Sequence, residues 1–452
     1  MEFAGPSRNI ARSAMISDAR GFDIRRIPLA LPDWASEAVF VVLLVVVFVG
    51  RAPFSPPPIT SHLSNPTGAG DTLRQILYVS ILAVVAAAAV QKHGLSAVRA
   101  IPPTLALLLF WCVLSSTWAD AHDISFRRAM LQVVLALSVM LSVDAVGAQR
   151  SLVLWRWVLG TILFVNLASI AFVPQAVHQV GELDPGLVGD WRGMFVHKNV
   201  AGSVSAITAA LFLFSAVERK RLLDLAICIL ALFFLVMTRS KSSMGLLPIA
   251  LLAGCVYAFA WRRELDRTIA VVGALLVVGA AAIWLALDWQ IVSRLIEDPA
   301  AFTGRSEIWQ AELAYIRLHP LLGSGFGTFT DTGGASPLSQ FVTGDWVTAV
   351  NHGHNGYLQM LFMLGGIGMV LAILAFVVAP ALQFWPIDPE AGLLRALIFT
   401  MFVFILLHNF LESDFLQDDV APGVMVLLMM ALLSNLERQR LARAALQHHQ
   451  DR

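Results

Sequence analysis

The sequence predicts an all-α polytopic membrane protein with about 12 transmembrane helices, since a helix needs roughly 20 apolar residues to cross a bilayer. Of the 452 residues, 58% are hydrophobic and only 14% are charged, which is far from the composition of a soluble globular protein. The formal net charge is zero. This balance gives no electrostatic basis for binding nucleic acid.

Twelve apolar runs are long enough to be spans. They lie at 34–50, 73–91, 101–118, 129–147, 152–173, 199–217, 222–238, 243–261, 268–287, 357–385, 392–411 and 420–436. Residues 1–33 lack the pattern of a cleavable signal peptide and are predicted to be a cytoplasmic N-terminal segment. We find no internal repeat. Residues 34–436 therefore form a single predicted membrane domain, and residues 437–452 a cytoplasmic C-terminal tail.

The lysine and arginine residues predict the orientation of these spans, because positively charged loops stay in the cytoplasm. With the N-terminus inside, 20 of the 31 Lys and Arg residues lie on the cytoplasmic side. Arg127 and Arg128 are the weak point of this assignment, because they fall on the outer side, although Asp120 and Asp123 lie close to them in the chain. Both termini are predicted to be cytoplasmic, and residues 288–356 form a large external loop.

The external loop is the longest polar interruption of the chain and the place where we expect function. Residues Arg305 to Leu318 predict an amphipathic helix that His319-Pro320 would end. Its apolar face would carry Ile308, Trp309, Leu313 and Ile316. Residues 331–350 show no strong periodicity and predict either a cover over the site or a plain loop.

Other sequence features argue against cofactors. Gly323 to Gly327 is glycine-rich, but it lacks the preceding strand and following lysine of a nucleotide site, and it is better interpreted as a turn. The three cysteines, Cys112, Cys228 and Cys255, lie singly and without the spacing of zinc ligands. We expect neither a metal nor another cofactor.

Six motifs follow one another along residues 190–415. They are Arg192 to Asn199, Thr238 to Ser243, Gly304 to Trp309, Pro320 to Gly327, His354 to Leu358 and Asn409 to Ser413. Together they resemble the O-antigen ligase and polymerase superfamily, and within it the exopolysaccharide polymerases. The resemblance implies the GT-C-like architecture of membrane glycosyltransferases.

The resemblance also implies an activity and a location. Such an enzyme polymerises polyprenyl-pyrophosphate-linked oligosaccharides into exopolysaccharide or O-antigen, by metal-independent inverting transfer at the periplasmic face of the bacterial inner membrane. Its partners would be the lipid-linked donor and acceptor, membrane lipids, a chain-length regulator and export proteins. Two alternatives stay open: a ligase that transfers finished glycan to a lipid or protein, and a flippase for lipid-linked oligosaccharides, since twelve spans are also a common carrier layout.

Arg305 and Arg239, with Lys241, are predicted to bind the pyrophosphate. Negative charge grows on the leaving pyrophosphate, and guanidinium groups stabilise such charge by bidentate hydrogen bonds. Arg305 falls in the first turn of its predicted helix, where the macrodipole disfavours a cation unless an anion lies opposite. A salt bridge to Glu307 or Glu312 would explain Arg305 without a substrate, and snorkelling would explain the other two.

His354 is the predicted catalytic base that removes the proton from the acceptor hydroxyl. It lies near the start of a span, where the positive helix end helps to keep an imidazole neutral. Asn355 would cap that helix or orient the histidine. His352 is the competing base, because sequence spacing cannot separate the two.

Three further residues are predicted to support the site or bind the acceptor. Lys198 and Arg192 form a basic group for phosphate or acceptor, with lipid headgroup contact as the alternative. Glu412 follows His408 by one helical turn, so we expect the two to pair on one face and to bind the acceptor or orient a histidine. Four aromatic residues could stack on sugar rings, although aromatic residues at a membrane interface more often anchor the fold. They are Trp309, Phe326, Phe329 and Trp346.

Overall fold

The computed structural model describes most of the chain. The described residues are 32–50, 52–55, 71–182, 185–260, 263–264, 266–273, 276, 305–330, 336–341, 352–386, 392–417 and 420–450. Within them the protein is helical and contains no β-strand, and Val177 and Trp191 form an isolated bridge. The predicted all-α fold is confirmed.

Among the described residues, the structure defines the bounds of eight helices before the external loop. They are α1 (Asp33–Val49), α2 (Thr72–His93), α3 (Pro103–Ser115), α4 (His122–Val146), α5 (Ala148–Phe172), α6 (Lys198–Arg219), α7 (Leu222–Thr238) and α8 (Lys241–Ala260). A 3-10 segment, Gly94–Ala100, extends α2. The ninth predicted span, 268–287, lies mostly outside the described residues.

Five helices follow. They are α9 (Arg305–Leu318), α10 (Gly356–Ile373), α11 (Ala379–Phe384), α12 (Gly392–His408) and α13 (Ala421–Gln450). A π-helical turn, Leu374–Val378, joins α10 to α11. In the described part of the chain, seven helical segments are long and apolar enough to cross a membrane, and four shorter apolar helices accompany them. These findings support a polytopic membrane protein.

The amphipathic helix of the external loop forms as predicted: α9 begins at Arg305 and ends at Leu318, directly before His319-Pro320. Its buried side chains include Ile308, whereas Leu313 is partly exposed. The last helix, α13, continues to Gln450. The predicted C-terminal tail is therefore helical through most of its length.

Polar contacts gather at two opposite ends of the helix bundle. At one end, Ser125 at the start of α4 donates to the carbonyl of Phe326, 2.8 Å away. At the other end, Lys92 in the last turn of α2 donates to the carbonyl of Ala145, 2.6 Å away, and Arg438 pairs with Asp144. The charge distribution assigns Ser125 and Phe326 to one side of the membrane, and they meet at one end of the bundle. It assigns the segments with Lys92, Asp144 and Arg438 to the other side, and these meet at the other end. Which end faces the cytoplasm stays a prediction.

Small residues let the central helices approach closely. A Cβ atom at Gly202 of α6 would lie 2.5 Å from the Cβ of Ser240, and one at Gly254 of α8 would lie 1.9 Å from the hydroxyl of Thr400. Side chains of this size are enriched where membrane helices cross, because backbone contact replaces the hydrophobic driving force. These contacts place the first turns of α6 against the turn between α7 and α8, and α8 against α12.

The glycine-rich segment Gly323 to Gly327 is a turn, and it docks on a kink in α10. Gly365 has φ of +65°, which interrupts the helix. The amide of Gly325 donates to the carbonyl of Met363 at 2.8 Å, and that of Gly366 donates to the carbonyl of Pro320 at 2.8 Å. The C-terminal end of α9 is thereby tied to the middle of α10.

We predict that Gly365→Ala destabilises the protein strongly. Its φ suits glycine, and a Cβ there would lie 2.2 Å from the carbonyl carbon and oxygen of Leu321. The expected loss is about 2–4 kcal/mol, by analogy with other overpacked and strained sites. Thermal unfolding in detergent measures it, with Gly245→Ala in α8 as the matched control, because nothing lies within 4 Å of that position. Equal Tm values for the two variants would contradict this account of the kink.

Candidate active site

Four helix ends meet at the end of the bundle that carries the external loop. They are the N-termini of α6, α9 and α10 and the C-terminus of α12. His197 caps α6 by accepting from the amide of Asn199 at 3.2 Å, and Asn355 caps α10 by accepting from the amide of Leu358 at 3.0 Å. The three N-termini bring positive dipole ends to this place, which favours an anion among them.

Glu412 is that anion. Its Oε1 accepts from Nη2 of Arg305 at 2.8 Å and from Nδ2 of Asn199 at 2.7 Å. Its Oε2 lies 3.1 Å from Nδ1 of His354. The carboxylate, which is 4% exposed, thus joins side chains of α6, α9 and the segment before α10.

The surroundings of Glu412 keep it ionised. Burial by itself would raise the pKa of this carboxyl, but His354 and Arg305 outweigh that effect and hold the pKa well below its ordinary range. An ionised carboxylate only accepts hydrogen bonds. We therefore assign the proton on Nδ1 of His354 to the bond with Glu412, and in the neutral imidazole the lone pair is then on Nε2.

Backbone contacts hold Glu412 in place. The chain leaves α12 after His408, and the amide of Gly356 donates to the carbonyls of Asn409 at 2.8 Å and Glu412 at 3.0 Å. Arg305 also donates to the carbonyl of Leu411 through Nη1. The start of α10 and the end of α12 therefore form one unit around the carboxylate.

His354 adopts an unusual backbone conformation, with φ of +51°. A residue with a Cβ in the left-handed region costs about 1 kcal/mol, and such strain concentrates at functional sites. The ring of His352 lies 4.1 Å from that of His354, centroid to centroid. Burial lowers the pKa of His352 well below its ordinary value, so this second imidazole is neutral.

The expected pairing of Glu412 with His408 is wrong. His408 instead contacts Oδ2 of Asp414 at 2.7 Å and the hydroxyl of Ser243 at 3.3 Å. The reason is that α12 ends at His408, so the side chains beyond it no longer follow the helical face. Glu412 is free to turn toward Arg305.

A second polar cluster lies beside the first, around Asp190. Lys198 donates to Oδ2 of Asp190 at 2.6 Å, and Arg239 donates to Oδ1 at 3.2 Å. Lys198 and Asn199 are consecutive at the start of α6, so the two clusters share that helix end. Burial lowers the pKa of His197, between them, to about 3.

The remaining predicted cations differ in accessibility. Arg239 caps the C-terminus of α7 with its side chain 69% exposed, and Lys241 is exposed at the start of α8. Arg192 is completely buried, and its Nη1 donates to the carbonyls of Ser55 and Val196. Arg192 therefore holds the loop together and does not face a substrate, contrary to the expectation for it.

Two of the aromatic residues also depart from expectation. Phe326 and Phe329 are buried in the protein core and do not present a face to a sugar. Trp309 uses its indole N–H to donate to the carbonyl of Gly353 at 2.9 Å. Trp346 lies outside the described residues.

Sequence reasoning brought His354 and Arg305 to one site but missed residues that organise it. Asn199 stood within a motif and Asp190 within a loop, and neither had a local signal that separated it from ordinary polar residues. The role of Asn199 is revealed only by its bond to Glu412. The role of Asp190 is revealed only by its ion pairs with Lys198 and Arg239.

His352, His354 and Glu412 each place one nitrogen or oxygen within 4.8 Å of the others, a grouping that resembles a metal-ligand set. Glu412 is already bonded to Arg305 and Asn199. The charge of Arg305 at 2.8 Å from the carboxylate opposes a divalent cation there. The arrangement suits an imidazole base with its carboxylate better than a metal centre.

A family model described as O-antigen ligase matches residues 226–373. This match supports the predicted resemblance to the O-antigen ligase and polymerase superfamily. The matched part of the chain runs from within α7 to the end of α10, so it includes Arg239, Arg305 and His354 but not Glu412. No curated protein matches the chain. An activity of the O-antigen ligase or polymerase type on glycans follows from the family.

We predict that Glu412→Gln lowers stability at neutral pH by about 3 kcal/mol, because removing one partner of a buried pair leaves the other without its counter-charge. The folded-state pKa of Glu412 is lowered, so its contribution is complete above the ordinary pKa of 4.5 and is lost as pH falls toward the lowered value. The Tm difference between wild type and variant should shrink on acidification. The control is Glu218→Gln, which changes an exposed carboxylate at the other end of α6. A Tm difference that does not change with pH would exclude an ionised Glu412.

Proposed function

We propose that this protein is a polymerase that extends oligosaccharide repeat units carried on polyprenyl pyrophosphate, by metal-independent inverting transfer at the periplasmic face of a bacterial inner membrane. The observation that supports it is the single buried carboxylate of Glu412, which holds Arg305 and His354 together. A base and a phosphate-binding cation in one place are what such a transfer needs.

His354 acts as the base in this proposal. Nε2 takes the proton of an acceptor hydroxyl as its oxygen attacks the anomeric carbon, and the bond from that carbon to the pyrophosphate oxygen breaks. The pyrophosphate leaves with the electron pair. Glu412, bonded to Nδ1, fixes the ring and stabilises the imidazolium that forms, as the carboxylate does in other base-orienter pairs. A single displacement inverts the anomeric centre.

The leaving pyrophosphate would be held beside the Asp190 cluster. Arg239 bonds Asp190 through one nitrogen and is mostly exposed, so further N–H groups of its guanidinium remain for an anion. Lys241 lies two residues away at the N-terminus of α8. Helix N-termini and guanidinium groups together make a suitable phosphate site. Lys198 in the same cluster and Arg305 in the Glu412 cluster would add positive charge.

The location at one end of the bundle fits the donor. Its prenyl chain must stay in the bilayer while the pyrophosphate reaches the interface, and the candidate residues lie at the ends of apolar helices. Chain-length regulators and export proteins complete the proposed set of partners, since the length of the polymer must be controlled and the polymer must be exported.

A ligase is the second candidate, and the description of the matching family favours it. The same base and cations would catalyse either reaction, because both reactions break the bond between the anomeric carbon and the pyrophosphate of the donor. The acceptor differs: a polymerase uses another lipid-linked glycan, and a ligase uses a different lipid or a protein.

Reconstitution in vesicles with purified lipid-linked repeat units tests the proposal. We predict that wild type extends the glycan with no other acceptor and that His354→Ala lowers the rate by about 100-fold or more. The control is His448→Ala, an exposed histidine near the end of α13.

The other outcomes separate the alternatives. Transfer only to an added lipid or protein acceptor would identify a ligase. Translocation of the lipid-linked glycan without a new bond would identify a flippase. Chain growth by the His354→Ala variant at the wild-type rate would remove that residue from catalysis.

Arg239→Ala should lower kcat/KM for the lipid-linked donor by about 10- to 100-fold, the worth of a charge-assisted hydrogen bond. Tm should change little, because the side chain is exposed. Arg317→Ala is the control, since Arg317 is an exposed arginine on α9. Equal kinetics for the two variants would take Arg239 out of the proposed pyrophosphate site.

A further inference from the structure

Glu312 is a buried acid that the proposed reaction does not use. It lies on α9 with its side chain 0% exposed, and within the described part of the chain neither carboxyl oxygen has a hydrogen-bond partner. Burying a polar group without a partner costs about 1–3 kcal/mol. An apolar side chain at this position would avoid that cost, so the presence of a carboxyl group here needs an explanation.

The nearest neighbour that constrains this carboxyl is Gly353. A Cβ at Gly353 would lie 2.6 Å from Oε1 of Glu312 and 3.1 Å from its Oε2, and the three atoms nearest to that Cβ all belong to the carboxyl group. Gly353 is also held through both of its polar backbone atoms. Its amide donates to Gln359 at 2.9 Å, and its carbonyl accepts from Trp309 at 2.9 Å.

Glu312 is on the same helix as the proposed phosphate-binding Arg305. The two are seven residues apart, which is about two helical turns and places them on one face. Arg305 bonds to Glu412, and Trp309 bonds to the carbonyl of Gly353. The carboxyl of Glu312 occupies the space where a Cβ of Gly353 would lie. One rigid helix therefore sets the positions of the guanidinium and of the segment with the two histidines.

We propose that Glu312 is a positioning residue whose carboxyl group fills the space beside Gly353 and fixes the backbone that presents His354 to Glu412. The inference rests on the proposed function, because it assigns the segment a catalytic base. It adds a residue that touches no substrate and acts through the backbone of residues 352–354.

The charge state of Glu312 agrees with this role. Burial raises its pKa well above the ordinary value, which favours the uncharged carboxyl. Besides Glu312, the titratable groups on α9 are Arg305, Glu307, Tyr315 and Arg317. Those on the neighbouring segments are His352 and His354 beside Gly353, Tyr357 on α10, and Glu412 after α12. An ionised Glu312 would add a second negative charge near Glu412 and would draw water into the contact.

The uncharged state has a measurable consequence. At a pH above the ordinary pKa of 4.5, folding must take up a proton at Glu312, so its effect on stability becomes more unfavourable as pH rises toward the raised value. Glu312→Gln, an uncharged side chain of the same shape, should therefore raise Tm at neutral pH. It should keep kcat within about twofold of wild type, because the space beside Gly353 stays filled.

Paired substitutions test the contact itself. Gly353 does not have a positive φ, so alanine fits the backbone there, and the three atoms nearest to its methyl group belong to the carboxyl of Glu312. Glu312→Ala and Gly353→Ala should each lower kcat about tenfold, by displacing the base, with little change in KM for the donor. The double variant should recover activity and Tm relative to Gly353→Ala alone, since the new methyl group occupies the space left by the carboxyl.

The outcomes are distinct. An inactive but folded Glu312→Gln variant would overturn the inference and would indicate proton transfer by Glu312. Additive losses in the double variant would also overturn it, as would an effect no larger than that of Arg317→Ala on the same helix. If wild type joins no glycans, the proposed function fails, while the Tm comparison of Gly353→Ala with the double variant still decides the contact.

Discussion

The site depends on one buried negative charge. Glu412 is removed from water, and an isolated carboxylate there would be unstable. It is stable because Arg305, Asn199 and His354 satisfy both oxygens. Each partner comes from a different part of the chain, so the ends of the surrounding helices can meet only in an arrangement that completes these bonds. The carboxylate is thus both the organising element of the site and the group that orients the proposed base.

The buried charge of Glu412 also gives the two cationic clusters, around Glu412 and around Asp190, different roles. Arg305 is largely committed to Glu412 and the carbonyl of Leu411, so its position is fixed but its free donors are few. Arg239 has one bond to Asp190 and otherwise faces solvent, which suits a ligand that arrives and leaves. The arrangement gives a rigid side that carries the base and an open side that can receive a phosphate. The shared N-terminus of α6 keeps the two sides in register.

Much of the fold was predictable because a bilayer imposes its thickness on the sequence. Apolar runs of suitable length marked the helices, and proline marked the end of α9. The motifs pointed to Arg305 and His354, and these residues do share a carboxylate. The pairing of Glu412 with His408 failed because it assumed that α12 continued beyond His408. The assignment of Arg192 failed because a local pattern does not show whether an arginine is buried.

The sequence by itself determined the helical membrane architecture, the superfamily and the two side chains most suited to the chemistry, because each of these is encoded in hydropathy or in short motifs. Only the tertiary structure decided that Glu412 joins His354 to Arg305, that Asp190 holds Lys198 and Arg239, and that Glu312 lies against Gly353. Those contacts connect residues that are mostly far apart in the chain. Their energy depends on burial and on distances of about 3 Å, and neither quantity can be obtained from the order of residues.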